Sequence, residues 1–196
     1  RDKMDQLDIR MAFRRELTSL QDNLVRLSSL VDSAIRRSLH ALKFRDIDLA
    51  RAIVADDAQL NELRFEIEEQ CIKLIAKQHP MASDLRIVVA VMNIVLDLER
   101  MGDHAAGIAN IAIQIGDQPP LKPLVDLPRM ADICRDMLRQ SMDAFVTQDD
   151  KLAQAVIKRD DEVDELYQQI FSEMISFMTD DPDTISRGLS LLFVGH

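Results

Sequence analysis

From about Phe13 to Leu42, apolar residues recur on alternating steps of three and four: Leu17, Leu20, Leu24, Leu27, Val31, Ala34 and Ala41. That spacing gathers them on one stripe and predicts a helix of an antiparallel bundle. Phe44-Arg45-Asp46-Ile47-Asp48 breaks the rhythm. Asp46 or Asp48 is expected to cap the next helix, because a short acidic side chain accepts from the first free backbone N–H groups. The second helix is expected over about Leu49 to Gln78, with Ile53, Leu60, Leu63, Ile67, Cys71, Leu74 and Ile75 inward. His79-Pro80 ends it, since proline pushes its predecessor out of the helical region. Ser83 or Asp84 opens a third helix to about Ile115, and Gly116 with Pro119, Pro120 and Pro123 reads as a link between two halves.

The second half begins again, with a helix from about Leu124 to Thr147, a break at Gln148-Asp149-Asp150 and a helix from about Lys151 to Met178. Asp180-Asp181-Pro182-Asp183 predicts a loop, and a last helix starts near Thr184. Sliding the chain by 103 positions tests the repetition. Over Arg36 to Cys71, identities fall at eleven of thirty-six positions, among them Asp46/Asp149, Leu49/Leu152, Asp57/Asp160 and Glu62/Glu165. Chance gives about two or three, and helical rhythm alone does not set Asp opposite Asp, so the halves are an internal duplication. The predicted fold class is all-α: two tandem three-helix bundles at 8–117 and 124–196, joined by a Pro-rich linker at 118–123. Only some thirteen residues remain for the last helix, so it is expected to be truncated, with more chain after His196; Met4 is read as the start.

Composition agrees with helices and narrows the partners. Five Gly and six Pro in 196 residues are too few for the turns of a sandwich or barrel, and with 4% aromatics the core must be aliphatic. Lys and Arg number 24 against 34 Asp and Glu, a net charge of −10. Such a chain lacks the basic footprint for nucleic acid and is repelled by anionic lipid. With no long apolar run, a membrane is expected to matter only through partners. Cys71 and Cys134 stand far apart without a CxxC and read as reduced cytosolic thiols.

The densest polar constellation is Asp97-Leu98-Glu99-Arg100-Met101-Gly102-Asp103-His104 in the third helix. Glu99 and Asp103, four apart, share one face, a like-charge spacing that costs a helix a few tenths of a kcal/mol, about 0.2–0.5, unless something positive sits between. Arg100 is one candidate and a hard cation held by oxygens another. The second helix carries a similar pair, Asp57 and Asn61, and its repeat gives Asp160 and Asp164. Antiparallel packing of these helices would offer several oxygens to a metal; a solvated acidic face is the other reading. Gly102, Ala105, Ala106, Ala109 and Ala112 suggest close helix approach. No Glu-x-x-His, P-loop, GxSxG, HExxH or GxGxxG occurs, and no nucleophile–base pair suggests itself.

Gln78-His79-Pro80-Met81-Ala82-Ser83-Asp84-Leu85-Arg86, followed by Asp97-Leu98-Glu99-Arg100-Met101-Gly102-Asp103-His104-Ala105, resembles the PhoU family of phosphate-signalling regulators. Asp56-Asp57, Asn61 and Glu68-Glu69 also sit where that family's second helix carries D-x-x-x-N and an acidic run. The resemblance runs from near Ile9 to Phe193. It implies two tandem three-helix bundles, a cytoplasmic protein that forms homodimers, and no catalysis. It implies restraint of high-affinity phosphate uptake, with a phosphate ABC transporter and a sensor histidine kinase as partners. It also implies metal binding through paired E/D-x-x-x-D motifs, with iron, zinc, manganese or magnesium as candidate ions. On that basis Glu99, Asp103, Asp57 and Asn61 belong to the first metal site, and Asp160 and Asp164 to the second. The chain departs at the second ExxxD, which the repeat offset places near positions 202 and 206, beyond His196. A metal-dependent hydrolase and a metal-free helical scaffold are the competing classes.

Overall fold

A computed structural model describes residues 2–78, 80 and 82–196, with side chains from Arg10 onward except Gln78. His79, expected to close the second helix, lies outside the described residues. Among the described residues six α-helices follow one another: α1 Asp2–Phe44, α2 Ile47–Gln78, α3 Ala82–Ile115, α4 Asp126–Thr147, α5 Asp150–Asp180 and α6 Ile185–Gly195. A 3-10 turn at Pro182–Thr184 precedes α6, and no strand occurs among the described residues. The class is all-α, in two successive sets of three helices. Several bounds differ from expectation, most by a residue or two, and two starts have a plain reason. α1 reaches back to Asp2, since nothing in residues 2–12 breaks a helix even though the apolar rhythm starts later. α4 starts at Asp126 rather than Leu124 and accommodates Pro128 in its first turn, where a missing N–H costs little.

The breaks after α1 and α4 are built alike. Arg45 and Gln148 take the left-handed conformation, with φ of 57° and 55°. In each case the next N–H turns back to a carbonyl in the last helical turn, Asp46 to Ala41 at 3.0 Å and Asp149 to Ala144 at 2.9 Å. That six-to-one closure satisfies a carbonyl the helix would otherwise leave free. The same aspartates then cap the following helix: Asp46 Oδ1 accepts from Leu49 N at 2.9 Å, and Asp149 Oδ1 from Lys151 N and Leu152 N at 3.0 Å. Asp46, not Asp48, is therefore the cap of α2. One residue type stops one helix and starts the next.

By packing, the chain forms two compact units whose boundaries fall within α1, α2 and α3. The first combines α1 as far as Val31 with Ala58–Gly102. Its core is aliphatic: Leu20, Leu24, Leu27 and Val31 of α1, Leu63, Ile67 and Leu74 of α2 and Val88, Val91, Val95 and Leu98 of α3 are all buried. Each such side chain contributes about 1.5–3 kcal/mol on leaving water. Gly102 explains the close approach expected here, for a Cβ on it would sit 3.0 Å from Leu60 Cδ1. Asn23 donates to Gln70 Oε1 at 3.1 Å. The Cys71 thiol faces the Val88 carbonyl at 4.0 Å and is pushed up to about 11 by burial, with Glu68 adding to the shift.

The second unit comprises Asp32–Asp57 and Asp103–His196. Its α1 portion buries Ile35, Leu39 and Leu42 beside Ala34 and Ala41, its α3 portion Ala105, Ala109 and Ala112, and α4 and α5 bury Leu127, Met130, Met142, Ile170 and Met174. Arg135 of α4 holds Asp32 of α1 with a two-pronged contact, Nε to Oδ1 at 2.9 Å and Nη2 to Oδ2 at 3.1 Å. Hydrogen bonding to Asp32 raises the Arg135 guanidinium above its ordinary value. The two residues are 103 apart, the offset of the repeat. Contact between equivalent positions is what a two-fold relation produces, so α1 and α4 meet here as copies of one helix.

The Pro-rich segment also belongs to this unit. Gly116, at φ 56°, ends α3 by returning its N–H to Ala112 O at 3.1 Å, a left-handed conformation that favours glycine. Two guanidinium groups pin the segment: Arg45 donates to Asp117 O at 3.3 Å and Arg187 to Pro119 O at 2.8 Å.

Candidate functional site

The acidic positions singled out above lie on three helices. Asp57 and Asn61 stand on α2, half-buried, and each is engaged with a neighbouring group. Glu99 is half-buried and Asp103 exposed on α3, one turn apart. Asp160 and Asp164 are exposed on α5. Asn61 and Glu99 fall in the first unit; Asp57, Asp103, Asp160 and Asp164 fall in the second. Asp160 is close enough to Cys134 to add to the rise that burial imposes on that thiol.

Neighbouring charges show which carboxylates are already satisfied. Arg37 meets Asp56 at 2.6 Å, Arg64 meets Glu68 at 3.1 Å and Lys73 meets Glu69 at 2.8 Å, so the acidic run of α2 is laced by its own helix and by α1. Arg100 does not sit between Glu99 and Asp103. It leans towards Asp97 at 3.9 Å, with both side chains 74% exposed, and such a pair contributes little. The like-charge pair on α3 is left without that relief.

Among the described residues, no three His, Cys, Asp or Glu side chains converge as metal ligands. α6 carries no carboxylate residue. His104 is an exposed surface residue, and His40 packs at a tilt against Phe44, with ring centroids 4.5 Å apart and an interplanar angle of 42°. Sequence reasoning did not anticipate the Asp32–Arg135 contact or the Lys122 ammonium, which joins Asp126 at 2.7 Å and also Glu173. The only signal for the first was that 32 and 135 differ by the repeat offset and carry opposite charge.

The comparisons with known proteins bear on both repeats. The model of the PhoU domain matches twice, over residues 24–112 and 127–196. The chain belongs to the PhoU family. The break between the two PhoU matches spans Gly116 and the Pro-rich segment. A relative from Aquifex aeolicus, a phosphate-specific transport system accessory protein PhoU homolog, is 39% identical over 95% of this chain and 84% of its own length. A Caulobacter vibrioides protein of the same name is 38% identical over 93% of this chain and 80% of its own. Among solved structures, PhoU from Pseudomonas aeruginosa superposes with a TM-score of 0.88 at 31% identity, covering 93% of this chain and 88% of that one. The phosphate transport system regulatory protein PhoU from Streptococcus pneumoniae gives 0.86 at 31% identity, covering 93% and 86%. No helix among the described residues is long and apolar enough to cross a membrane.

Proposed function

We propose that this PhoU-family chain regulates phosphate homeostasis, restraining high-affinity phosphate uptake and relaying phosphate sufficiency to a sensor histidine kinase. It does so through protein–protein contacts in the cytoplasm, as a homodimer and without catalysis. The observation that carries this reading is the double family match together with relatives named as accessory proteins of phosphate-specific transport systems. The acidic surface and the lack of any nucleophile–base motif are consistent with it. Deleting the gene is expected to derepress phosphate-starvation genes in phosphate-rich medium. Unchanged repression, measured by transcript levels, overturns the proposal.

We further propose that the acidic helix faces of Asp57 and Asn61 on α2, of Glu99 and Asp103 on α3, and of Asp160 and Asp164 on α5 bind cations. The donors are hard oxygens, which suit iron, manganese, magnesium or zinc. A bound cation would supply the positive charge that the Glu99/Asp103 pair lacks, since Arg100 turns elsewhere. Glu99→Ala/Asp103→Ala is expected to lose metal by elemental analysis while keeping its helical circular dichroism. Unchanged metal content removes the assignment.

A further inference from the structure

Within the second unit, the α1–α2 junction, the Pro-rich segment and α6 enclose a cavity of about 380 Å³. Its wall is apolar, formed by Leu42, Phe44, Ile115, Leu124, Val125 and Leu191 with three prolines. The charges on its lining are opposite in sign to the chain's net charge. In a molecule of net charge −10, the lining includes Lys43, Arg45 and Arg187 and not one Asp or Glu. Arg45 and Arg187 spend one N–H each on backbone carbonyls, and no carboxylate among the described residues pairs with either. Each guanidinium therefore keeps donors for an incoming anion. At the mouth, Phe44 and Val125 are 61% and 63% exposed.

We infer that this groove docks an acidic amphipathic segment of a partner protein, its aliphatic or aromatic side chains in the cavity and its carboxylates on Arg45, Arg187 and Lys43. The exposed apolar mouth favours a peptide over a small anion, because a small ligand inside would leave Phe44 and Val125 wet while a segment laid across them covers both. The cations steer an acidic partner against the repulsive field of the rest of the chain and set its orientation. The inference rests on the proposed action through protein contacts and names the surface used.

The test uses the full chain and fluorescein-labelled short peptides tiled over the cytoplasm-facing sequences of the phosphate transport system's own subunits. The expected binders place Leu, Ile or Phe beside Asp or Glu. Val125→Glu sets a carboxylate in the mouth at an exposed position and should weaken them at least about tenfold. Arg45→Gly removes a guanidinium while suiting the left-handed backbone at φ 57°, so it tests charge at the cost of one exposed hydrogen bond to Asp117 O. It should weaken binding about three- to tenfold and flatten its salt dependence. Peptides that bind the wild type and Val125→Glu alike overturn the inference, as does the absence of any binding peptide. So does binding of the apolar anion 1-anilinonaphthalene-8-sulfonate in the groove with no peptide competing, or a dimer in sedimentation that Val125→Glu alone dissociates. In cells, a gene deletion without derepression removes the regulatory reading itself. Derepression by deletion, with full complementation by Val125→Glu, removes the groove alone.

Discussion

The junctions that follow α1 and α4 share one plan, yet the helices feeding them carry opposite charges at one pair of equivalent positions. At the junctions the duplication has kept what the backbone requires: an aspartate that closes the left-handed turn and caps the next helix. Where the copies touch, identity has given way to complementarity, with Asp32 against Arg135. In a symmetric pair of separate chains, a position on the two-fold axis faces its own kind, and Asp would meet Asp. Joining two copies in one polypeptide lifts that restriction. Local backbone chemistry is thus what both copies must retain, and the surface between them is where they are free to differ.

The most direct way to break this comparison is to restore symmetry at the contact. Asp32→Arg sets two guanidinium groups together at a site where the side chains are 21% and 15% exposed, and is expected to cost about 2–3 kcal/mol in urea unfolding. The swap Asp32→Arg/Arg135→Asp should recover most of that loss. A double variant as unstable as the sum of its singles shows that the contact does not join the copies. Next in size, Asp46→Ala and Asp149→Ala should each lose about 1 kcal/mol, near-equal and additive, by thermal or urea midpoint. A difference larger than one cap is worth would mean that the junctions only look alike.

Smaller and opposite in sign, Arg45→Gly and Gln148→Gly relieve left-handed strain, and each should gain about 0.5–1 kcal/mol. The smallest effect probes a feature without a counterpart. Lys122 corresponds in the repeat to Ser19. Burial lowers the Lys122 pKa, but Asp126 and Glu173 together outweigh it and raise the group above its ordinary 10.5. A raised folded-state pKa stabilises below the unfolded value, and that gain is lost as pH rises through the folded value. With Glu173 half-exposed the pair is worth about 0.5 kcal/mol. Wild-type stability should therefore fall more steeply above pH 10.5 than that of Lys122→Met, as read by denaturant midpoints against pH.

Much of this was legible in the sequence because the rules concerned are local. Every helix break announced itself through a lost apolar rhythm, a proline or an aspartate, and the 103-residue offset exposed the duplication before any coordinate. Choosing between Asp46 and Asp48 was beyond reach, since both suit an N-cap and only the backbone path selects one. The chain's compact units were equally hidden, because division within a helix leaves no mark on a sequence whose periodicity runs through it. At the candidate cation site the residue types and spacings were visible. Whether their side chains converge depends on rotamers and on rivals such as Asp97, which takes Arg100 away from the pair expected to share it. The groove beside the Pro-rich segment was invisible for a related reason: its cations come from residues 43, 45 and 187, which no sequence window joins.

The two thiols have a consequence of their own. Cys71 is wholly buried in one compact unit and Cys134 half-buried in the other, and burial holds both above the ordinary thiol range. An alkylating reagent reaches the wholly buried Cys71 only when its unit opens, whereas the half-buried Cys134 needs only a loosening of its immediate neighbours. The unmodified chain thus carries two stopwatches. The rate at which each cysteine is trapped, followed by mass spectrometry, times the breathing of its surroundings, and a partner that clamps one unit should slow one clock and leave the other running.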